Sequence, residues 1–188
     1  NTYMLTGWGA VSNVSGSKER MIALQTNPRH YFQRPDVSYI SVDSSAASLT
    51  GYSGRLMLNK NRGRWVFNTA VGFISPKFEV NDLGFGSYSD YINAHFFTSY
   101  RWNEPTDFYQ FFGISAATFL SYDYGGNKIS EGYYASSYLT LHDYYGGDVS
   151  FIYTPPTLNS RRTRGGPLTL DPKSTTINFN AVTDNRVW

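Results

Sequence analysis

The run from Tyr91 to Trp102 constrains the fold most, because apolar and polar residues alternate along it. One parity is apolar apart from a threonine: Ile92, Ala94, Phe96, Thr98, Tyr100 and Trp102. The other parity is polar apart from one aromatic ring: Asn93, His95, Phe97, Ser99 and Arg101. Successive side chains of a β-strand point to opposite faces of a sheet. The run therefore predicts a strand with one apolar and one polar face.

The length of this strand and of two preceding ones distinguishes membrane-spanning from soluble β proteins. The segments Leu49–Lys60 and Arg64–Ile74 are, like Tyr91–Trp102, about twelve residues long. Strands of soluble proteins are usually about 5–6 residues long, whereas a tilted strand needs about 9–11 residues to cross a bilayer. Tyr100 and Trp102 end the apolar face, as aromatic residues do at a membrane interface. The pattern predicts the wall of an outer-membrane β-barrel, and a long-stranded soluble sandwich or lectin is the alternative.

Composition supports a β-rich chain and excludes several other classes. Aromatic residues make up 18% of the 188 residues, and charged residues only 16%, against about 25% charged in a typical soluble domain. No apolar run approaches the ~20 residues of a membrane-spanning helix, which excludes a helical membrane protein. The absence of cysteine excludes disulfides and thiolate sites in this chain. A net charge of +2 is too small to indicate a nucleic-acid partner.

About eight strands follow one another, and the connections between them are alternately long and short. The long connections span about 13–44, 75–90, 123–130 and 154–173. Bacterial outer-membrane barrels have long extracellular loops and short periplasmic turns. The predicted fold is therefore all-β, an antiparallel up-and-down transmembrane β-barrel. We expect residues 1–188 to be one segment of the wall of a larger barrel, because an open sheet edge does not stay unpaired in lipid.

The parity of the strands sorts the side chains into two predicted environments. Polar or hydroxyl-bearing residues are expected to face an aqueous lumen: Arg55, Asn68, Asn93, His95, Arg101, Tyr134, Tyr138 and His142. Aromatic residues of the other parity are expected to face lipid or its interface: Trp65, Phe67, Phe73, Phe96, Tyr100 and Trp102.

No catalytic, metal or cofactor site is predicted. The three histidines lack metal-ligand spacing, and the adjacent His142 and Asp143 would point to opposite faces of a strand. Ser99, His95 and Asp143 supply the residue types of a hydrolytic triad, but no sequence pattern connects them. We expect this segment to be neither an enzyme nor a cofactor protein.

The long connections contain two sets of candidate contact residues. One set is the arginine cluster, suited to phosphate groups of lipopolysaccharide or simply to a solvated loop: Arg161, Arg162 and Arg164. The other set is aromatic, suited to stacking on glycans or on partner proteins, or to packing the loops against one another: Tyr31, Phe32, Phe78 and Phe85. The expected partners are outer-membrane lipid or lipopolysaccharide and other outer-membrane proteins or glycans, with no nucleic acid.

Several segments resemble an uncharacterised family of Gram-negative outer-membrane barrels: Tyr31-Phe-Gln-Arg-Pro-Asp36, Leu49-Thr-Gly-Tyr-Ser-Gly-Arg55, Gly63-Arg-Trp65 and Ser75–Phe85. The resemblance extends from about Tyr3 to about Pro167, and the block Ser75–Phe85 is its most specific part. In that family an N-terminal module similar to carbohydrate-binding family 9 precedes the barrel. The resemblance implies an outer-membrane location and contact with glycans, but no established reaction and no catalytic residues. Neither the module nor the remaining strands are expected within these 188 residues.

Three functions follow as expectations. The first is a pore or barrel component related to transport or secretion, handling glycan-related material. The second is a structural or scaffold barrel that binds partner proteins through its surface loops. The third is a hydrolase carried by a barrel.

Overall fold

The computed structural model describes residues 2–81, 84, 86, 87 and 89–184. Its elements in chain order are β1 (Tyr3–Ser15), α1 (Lys18–Thr26), β2 (Ser48–Lys60), β3 (Trp65–Ile74), β4 (Tyr91–Trp102), β5 (Tyr109–Tyr122), β6 (Lys128–Leu141), β7 (Gly146–Thr154), β8 (Thr157–Asn159), β9 (Thr169–Asp171) and β10 (Ser174–Val182). The predicted all-β class is confirmed. No helix in the described part of the chain has the length and apolarity to cross a membrane.

Eight strands form one antiparallel sheet in the order β1-β2-β3-β4-β5-β6-β7-β10. Each strand pairs with its neighbours in sequence, and β8 and β9 form a separate two-stranded hairpin between β7 and β10. The antiparallel meander of eight strands is therefore confirmed. Within the described residues, β1 and β10 are the two edges of the sheet, which is not closed into a barrel.

The connections at one end of this sheet are all short, and three of the four at the other end are long. The short turns are 61–64, 103–108 and 142–145. The opposite end has the long connections 16–47, 75–90 and 155–173, together with 123–127, which has only five residues because β6 begins at Lys128, inside the predicted loop 123–130. Gly63 has a φ of +92° in the first turn, a conformation that glycine adopts without steric cost. The predicted loop 154–173 differs from the structure, because it contains the β8–β9 hairpin.

The first long connection contains α1, which begins after Ser17. The Ser17 hydroxyl accepts a hydrogen bond from the backbone N–H of Arg20 at 3.4 Å, and Glu19 lies in the first turn. Both features stabilise a helix start. Met21 and Gln25, four residues apart, are the buried residues of this helix.

The register separates a largely apolar face of the sheet from a face that carries most of the polar side chains, but β1 and β5 have apolar residues on both faces, such as Trp8 and Phe119 on the polar one. On the apolar face Leu56 pairs with Val71, which pairs with Ala94. On the polar face Asn59 pairs with Asn68, and the neighbouring pair there is Ala70 with His95. These two sides of the sheet are called the apolar face and the polar face.

Burial is distributed in the opposite way to a water-soluble sandwich. Among the described residues, only six apolar ones are buried: Met21, Tyr31, Phe32, Leu49, Val66 and Ala70. By contrast, 26 large hydrophobic residues are exposed, including Trp65, Phe73 and Phe96 on the apolar face. Most of the buried polar residues, such as His30 and Asp90, belong to the connections at the loop end of the sheet. The most closely packed side chains therefore lie under the loops, and the side chains of the apolar face are exposed.

Candidate functional site on the polar face and under the loops

Seven of the eight residues predicted to face a lumen lie on the polar face. The strand register places Arg55, Asn68, Asn93, His95, Arg101, Tyr134 and Tyr138 there. His142 is a correction. It lies in the turn 142–145, because β6 ends at Leu141, and its Nε2 contacts the backbone carbonyl of Thr106 in the neighbouring turn.

Four side chains from three strands form one hydrogen-bonded row across the polar face. Arg55 in β2 donates from Nη2 to Nδ1 of His95 in β4 at 3.3 Å. His95 Nε2 bonds to Oδ1 of Asn68 in β3, and Asn68 Nδ2 donates to Oδ1 of Asn59 in β2. Sequence parity predicts Arg55, Asn68 and His95 on one face, and the register brings them into contact with one another and with Asn59.

Small hydroxyl groups continue the polar face across the other half of the sheet. Ser99, Ser115, Ser136 and Ser150 are paired in succession from β4 to β7. Asn178 of β10 pairs with Ser150 and donates to its hydroxyl at 3.2 Å. Hydrogen-bonding groups therefore follow the polar face from β2 to β10.

One tyrosine of β6, Tyr138, packs against this face. The ring of Tyr138 covers Gly113, where an added Cβ would come within 2.2 Å of the ring. Gly113 is the residue paired with Arg101. The absence of a side chain at position 113 is what allows Tyr138 to lie beside the strand that carries Arg101.

The apolar face carries aromatic rings at both rims. Near the short turns, the ring centroids of Tyr100 and Trp102 lie 4.6 Å apart and those of Trp102 and Phe112 lie 4.9 Å apart. The ring centroids of Trp65 and Phe67 lie 5.4 Å apart. Trp65 Nε1 donates to the Thr98 hydroxyl at 2.7 Å. Near the loops, another aromatic group lies on the same face: Tyr52, Phe73, Tyr122, Tyr133 and Tyr153. The residues between the two groups are mostly aliphatic or small.

Under the loops, one buried cluster joins two long connections around His30. Its Nε2 lies 3.2 Å from Glu79 Oε2, and its Nδ1 lies 2.8 Å from the Pro76 carbonyl and 2.9 Å from the Ser89 hydroxyl. Arg29 also pairs with Glu79 at 3.1 Å. These contacts hold the connections 16–47 and 75–90 together.

Burial and hydrogen bonding shift the pKa values of this cluster. Burial lowers the pKa of His30, and its contacts with Pro76 and Glu79 oppose that shift. Burial alone would raise the pKa of Glu79, but hydrogen bonds from Asn81, Arg29 and His30 outweigh it and lower the value to about 2. Glu79 is thus a carboxylate throughout the neutral range.

The contacts of Ser89, His30 and Glu79 have the residue types of a hydrolytic triad but not its geometry. The side chain of His30 has no exposed surface and Ser89 is 1% exposed. The Ser89 hydroxyl also lies 2.9 Å from the Pro76 carbonyl, which is 2.8 Å from His30 Nδ1. A nucleophile without exposure cannot meet a substrate, and the carbonyl competes for the histidine proton. The cluster is suited to holding the loops.

A second buried cluster joins three connections around Arg34. Its Nη2 lies 3.0 Å from Asp90 Oδ2 and 3.9 Å from Asp123 Oδ2. The Tyr39 hydroxyl donates to Asp90 at 2.6 Å. Burial raises the pKa of both Asp90 and Tyr39. One guanidinium therefore lies between two buried carboxylates from different connections, and removing it would leave both without a cationic partner.

The structure also places the predicted loop contacts. Tyr31 and Phe32 are buried at 8% and 3% exposure, so they pack inside the loops and are not free to contact a partner. Phe78 is half-buried, and Phe85 lies outside the described residues. Arg161 donates to the carbonyls of Pro28 and Ser89 at 2.7 and 2.9 Å.

The other two arginines of the cluster point elsewhere. Arg162 is paired with Asp171 within the β8–β9 hairpin. Arg164 is exposed. The three arginines therefore do not act as one surface patch, and Arg161 in particular fastens the fourth connection to the first two.

The residue types weighed for metal binding and hydrolysis do not converge. Among the described residues, no group of three His, Cys, Asp or Glu side chains could hold a metal ion. His95 and Ser99 are separated along β4 by about 13 Å, from the rise of about 3.3 Å per residue, and Asp143 lies in the turn 142–145.

Sequence reasoning missed Arg34, Asp90 and Asp123 as a cluster. Arg34 and Asp90 are 56 positions apart, and Asp123 comes from a third connection. No local pattern connects such partners. The one available signal was indirect: charged residues in predicted loops that also contain many aromatic residues.

Comparison with known proteins gives a family but no function. No curated protein and no solved structure matches the chain. Residues 4–186 match the family described as a domain of unknown function, DUF5916. Because the match covers nearly the whole sequence, the chain belongs to the DUF5916 family.

Proposed function

We propose that this chain is part of the wall of a larger outer-membrane β-barrel in a Gram-negative bacterium. The barrel is a pore or barrel component related to transport or secretion, and its lumen is lined by the polar face. The resemblance noted above adds glycan-related material as the class of solute.

The observation that carries this proposal is the exposure of the apolar face. Ile92 and Phe96 of β4 are 41% and 40% exposed, whereas His95 between them is half-buried among hydrogen-bonding partners. Exposed apolar patches of this extent are rare on soluble monomers and indicate a membrane or a protein interface. Strands that alternate apolar-out and polar-in are the signature of transmembrane barrels.

Strand length and the aromatic rims support lipid as the solvent of that face. The eight strands of the sheet are 9–14 residues long, and about 9–11 residues cross a bilayer. From Trp65 to Phe73, one at each rim, the chain rises about 26 Å along the strand at about 3.3 Å per residue, or about 20 Å across the membrane at a strand tilt of about 40°. Outer-membrane barrels present an apolar band of about 25 Å between two aromatic girdles.

The two edge strands explain why more wall is needed. The outer edges of β1 and β10 present unpaired backbone groups among the described residues. In lipid each unsatisfied group costs several kcal/mol, so only closed barrels span membranes with strands. We infer that further strands of a longer polypeptide, or of a partner, pair with β1 and β10.

A scaffold barrel is the second candidate, favoured by the packing under the loops. Four connections are fastened to one another through His30, Arg34 and Arg161. The β8 strand also contacts β6. Loops packed in this way can close a barrel mouth and present a fixed surface to a partner. Single-channel recording of the full-length protein separates the two: a pore passes ions, and a plugged scaffold does not.

Adjacent alanines of β5 offer a direct test of the membrane proposal. Ala116 is exposed on the apolar face and Ala117 is half-buried on the polar face. The experiment introduces Ala116→Cys or Ala117→Cys into full-length protein otherwise free of cysteine. Each variant is then treated in membranes with a charged, water-soluble maleimide.

The two environments predict opposite orders of labelling. In a barrel wall the Ala117→Cys thiol meets water and reacts, while the Ala116→Cys thiol faces lipid, where the reactive thiolate does not form. In a water-soluble protein the exposed Ala116→Cys reacts faster. Faster labelling at position 116 in the membrane-associated protein would overturn the proposal.

A further inference from the structure

The hydrogen-bonded row on the polar face has a fixed direction. A guanidinium only donates, so Nδ1 of His95 accepts from Arg55 and Nε2 carries the proton. His95 then donates to Asn68 Oδ1, and Asn68 Nδ2 donates to Asn59 Oδ1. The last member, Asn59 Nδ2, is buried without a hydrogen-bond partner.

The unpartnered N–H of Asn59 costs free energy, and the hydrogen bonds of the row polarise it. Asn59 is 9% exposed, and a buried N–H without an acceptor loses its hydration without compensation. Hydrogen bonds in a chain polarise one another, so the terminal N–H is a stronger donor than an isolated amide. The row therefore ends in a group that requires an acceptor.

Asn59 lines a cavity of about 170 Å³ on the short-turn side of the polar face. Arg101, Asn61 and Asn68 line the same cavity, with the ring of Phe97 on one side. The Arg101 guanidinium forms no hydrogen bond or ion pair with any described residue. No carboxylate lines the cavity, and the nearby Glu104 is paired with Arg64.

We propose that this cavity binds a small oxyanion of the phosphate class. Arg101 supplies the positive charge and a planar pair of donors suited to such an anion. Asn59 Nδ2 supplies the N–H that has no acceptor in the protein, and the Asn59 amide has to turn slightly toward the cavity to donate it, because this atom is buried. One water takes up about 30 Å³ of liquid, so the cavity holds one small oxyanion with a few waters.

The balance of donors and acceptors argues against other occupants. The Oδ1 atoms of Asn59 and Asn68 are both engaged within the row, so a cation would meet few free oxygens and a guanidinium of like charge. Lys60 does not compete for the anion, because its Nζ donates to the Trp65 carbonyl and lies over the Trp65 ring. An apolar group would leave Arg101 and Asn59 unsatisfied.

Titration calorimetry of the full-length protein in detergent, with inorganic phosphate as the probe, tests the site. The test variants are Arg101→Gln, which removes the charge, and Asn59→Asp, which places a carboxylate at the end of the row. The matched control is Arg62→Gln, which removes the same charge from an exposed position in the turn 61–64. Far-UV circular dichroism verifies that each variant is folded.

We expect wild type and Arg62→Gln to bind phosphate equally, and Arg101→Gln about tenfold more weakly or worse, since charged hydrogen bonds carry most of such affinity. Asn59→Asp should abolish binding by repulsion. Absence of binding in the wild type, or an equal loss in Arg62→Gln and Arg101→Gln, would overturn the site. The outcome is separable from the membrane proposal, because it is measured in detergent and does not depend on which solvent covers the apolar face.

Discussion

Phe96 and Phe97 are adjacent in β4 and lie on opposite faces of the sheet. Phe96 is 40% exposed on the apolar face and stacks on Phe67 with 6.2 Å between ring centroids. Phe97 is half-buried on the polar face, opposite Asn68. Two identical side chains at the centre of one strand therefore report on the two faces separately.

Replacing each phenylalanine with arginine distinguishes lipid from water. In a membrane wall, Phe96→Arg places a charge near the bilayer midplane and should cost about 2–4 kcal/mol. Phe97→Arg should cost much less, because its charge enters the aqueous side. The measurement is urea unfolding of the full-length protein in lipid vesicles.

The order of the two effects decides the result. If the apolar face were covered by water, Phe96→Arg would be an exposed substitution within about 0.5 kcal/mol of wild type. Phe97→Arg would then be the more damaging change, since Phe97 is the more buried of the two. A larger loss for Phe97→Arg would contradict the assignment of the faces.

The packing of Tyr138 over Gly113 gives a second prediction. Gly113→Ala forces an added methyl group into the Tyr138 ring and should destabilise the protein by about 1–3 kcal/mol, the usual cost of overpacking. Gly9→Ala is the matched control, because nothing lies within 4 Å of an added Cβ there. It should be neutral or stabilising by up to about 1 kcal/mol.

A double variant verifies the cause of that loss. If the clash with Tyr138 is responsible, Tyr138→Ala should restore most of the stability lost in Gly113→Ala, as measured by unfolding midpoints. Strictly additive losses in the double variant would show that the contact is not the reason.

The two faces and the order of the strands were predictable because both depend on local patterns. Alternation in β4 is a period of two within one segment, and it separates His95 from Phe96 without any knowledge of neighbours. The same holds for Asn178 and Phe179 in β10. Up-and-down pairing follows from consecutive strands joined by tight turns such as that at Gly63.

Features that need two distant segments could not be predicted. The row from Arg55 to Asn59 depends on cross-strand register, and the His30–Glu79 pair joins residues 49 positions apart. Tyr31 has the exposed character of a contact residue in the sequence, but the long connections bury it. The sequence predicts a strand through His142, but β6 ends at Leu141 and the turn begins at His142.

The loops should lose stability in acid through Glu79. Its pKa is about 2 in the fold against an ordinary 4.5, so its contribution is complete above pH 4.5 and is lost as the pH falls toward 2. His30 acts in the same direction below pH 6.5, because burial lowers its pKa. Hydrogen exchange of residues 75–90, corrected for intrinsic rates, should show protection falling as the pH is lowered from 6 to 3.

The variant Glu79→Gln separates the contribution of the Glu79 carboxylate from those of the other titrating groups. Asp90 acts in the opposite direction, because burial raises its pKa, so the wild-type profile alone combines several groups. The variant should be less protected than wild type at pH 6 and should show a smaller further loss by pH 3. Parallel profiles for wild type and variant would mean that Glu79 does not stabilise the loops.

Arg161 should control the order of the last long connection. Its guanidinium donates to the carbonyls of Pro28 and Ser89, and hydrogen bonds from a charged group contribute about 1.5–3 kcal/mol each. Arg161→Gln should therefore release residues 155–173 and increase their hydrogen exchange. Arg164→Gln removes the same charge from an exposed position in the same connection and should leave exchange unchanged.

The same pair of variants connects the loops to the proposed pore. If residues 155–173 lie over the mouth of a barrel, Arg161→Gln should increase the noise of the open-channel current in single-channel recordings, while Arg164→Gln should not. A rise in exchange without any change in current would mean that the connection packs outside the path of the ions. Leu158 and Arg161 line one cavity with Asn93 of the polar face, so we expect the current to change.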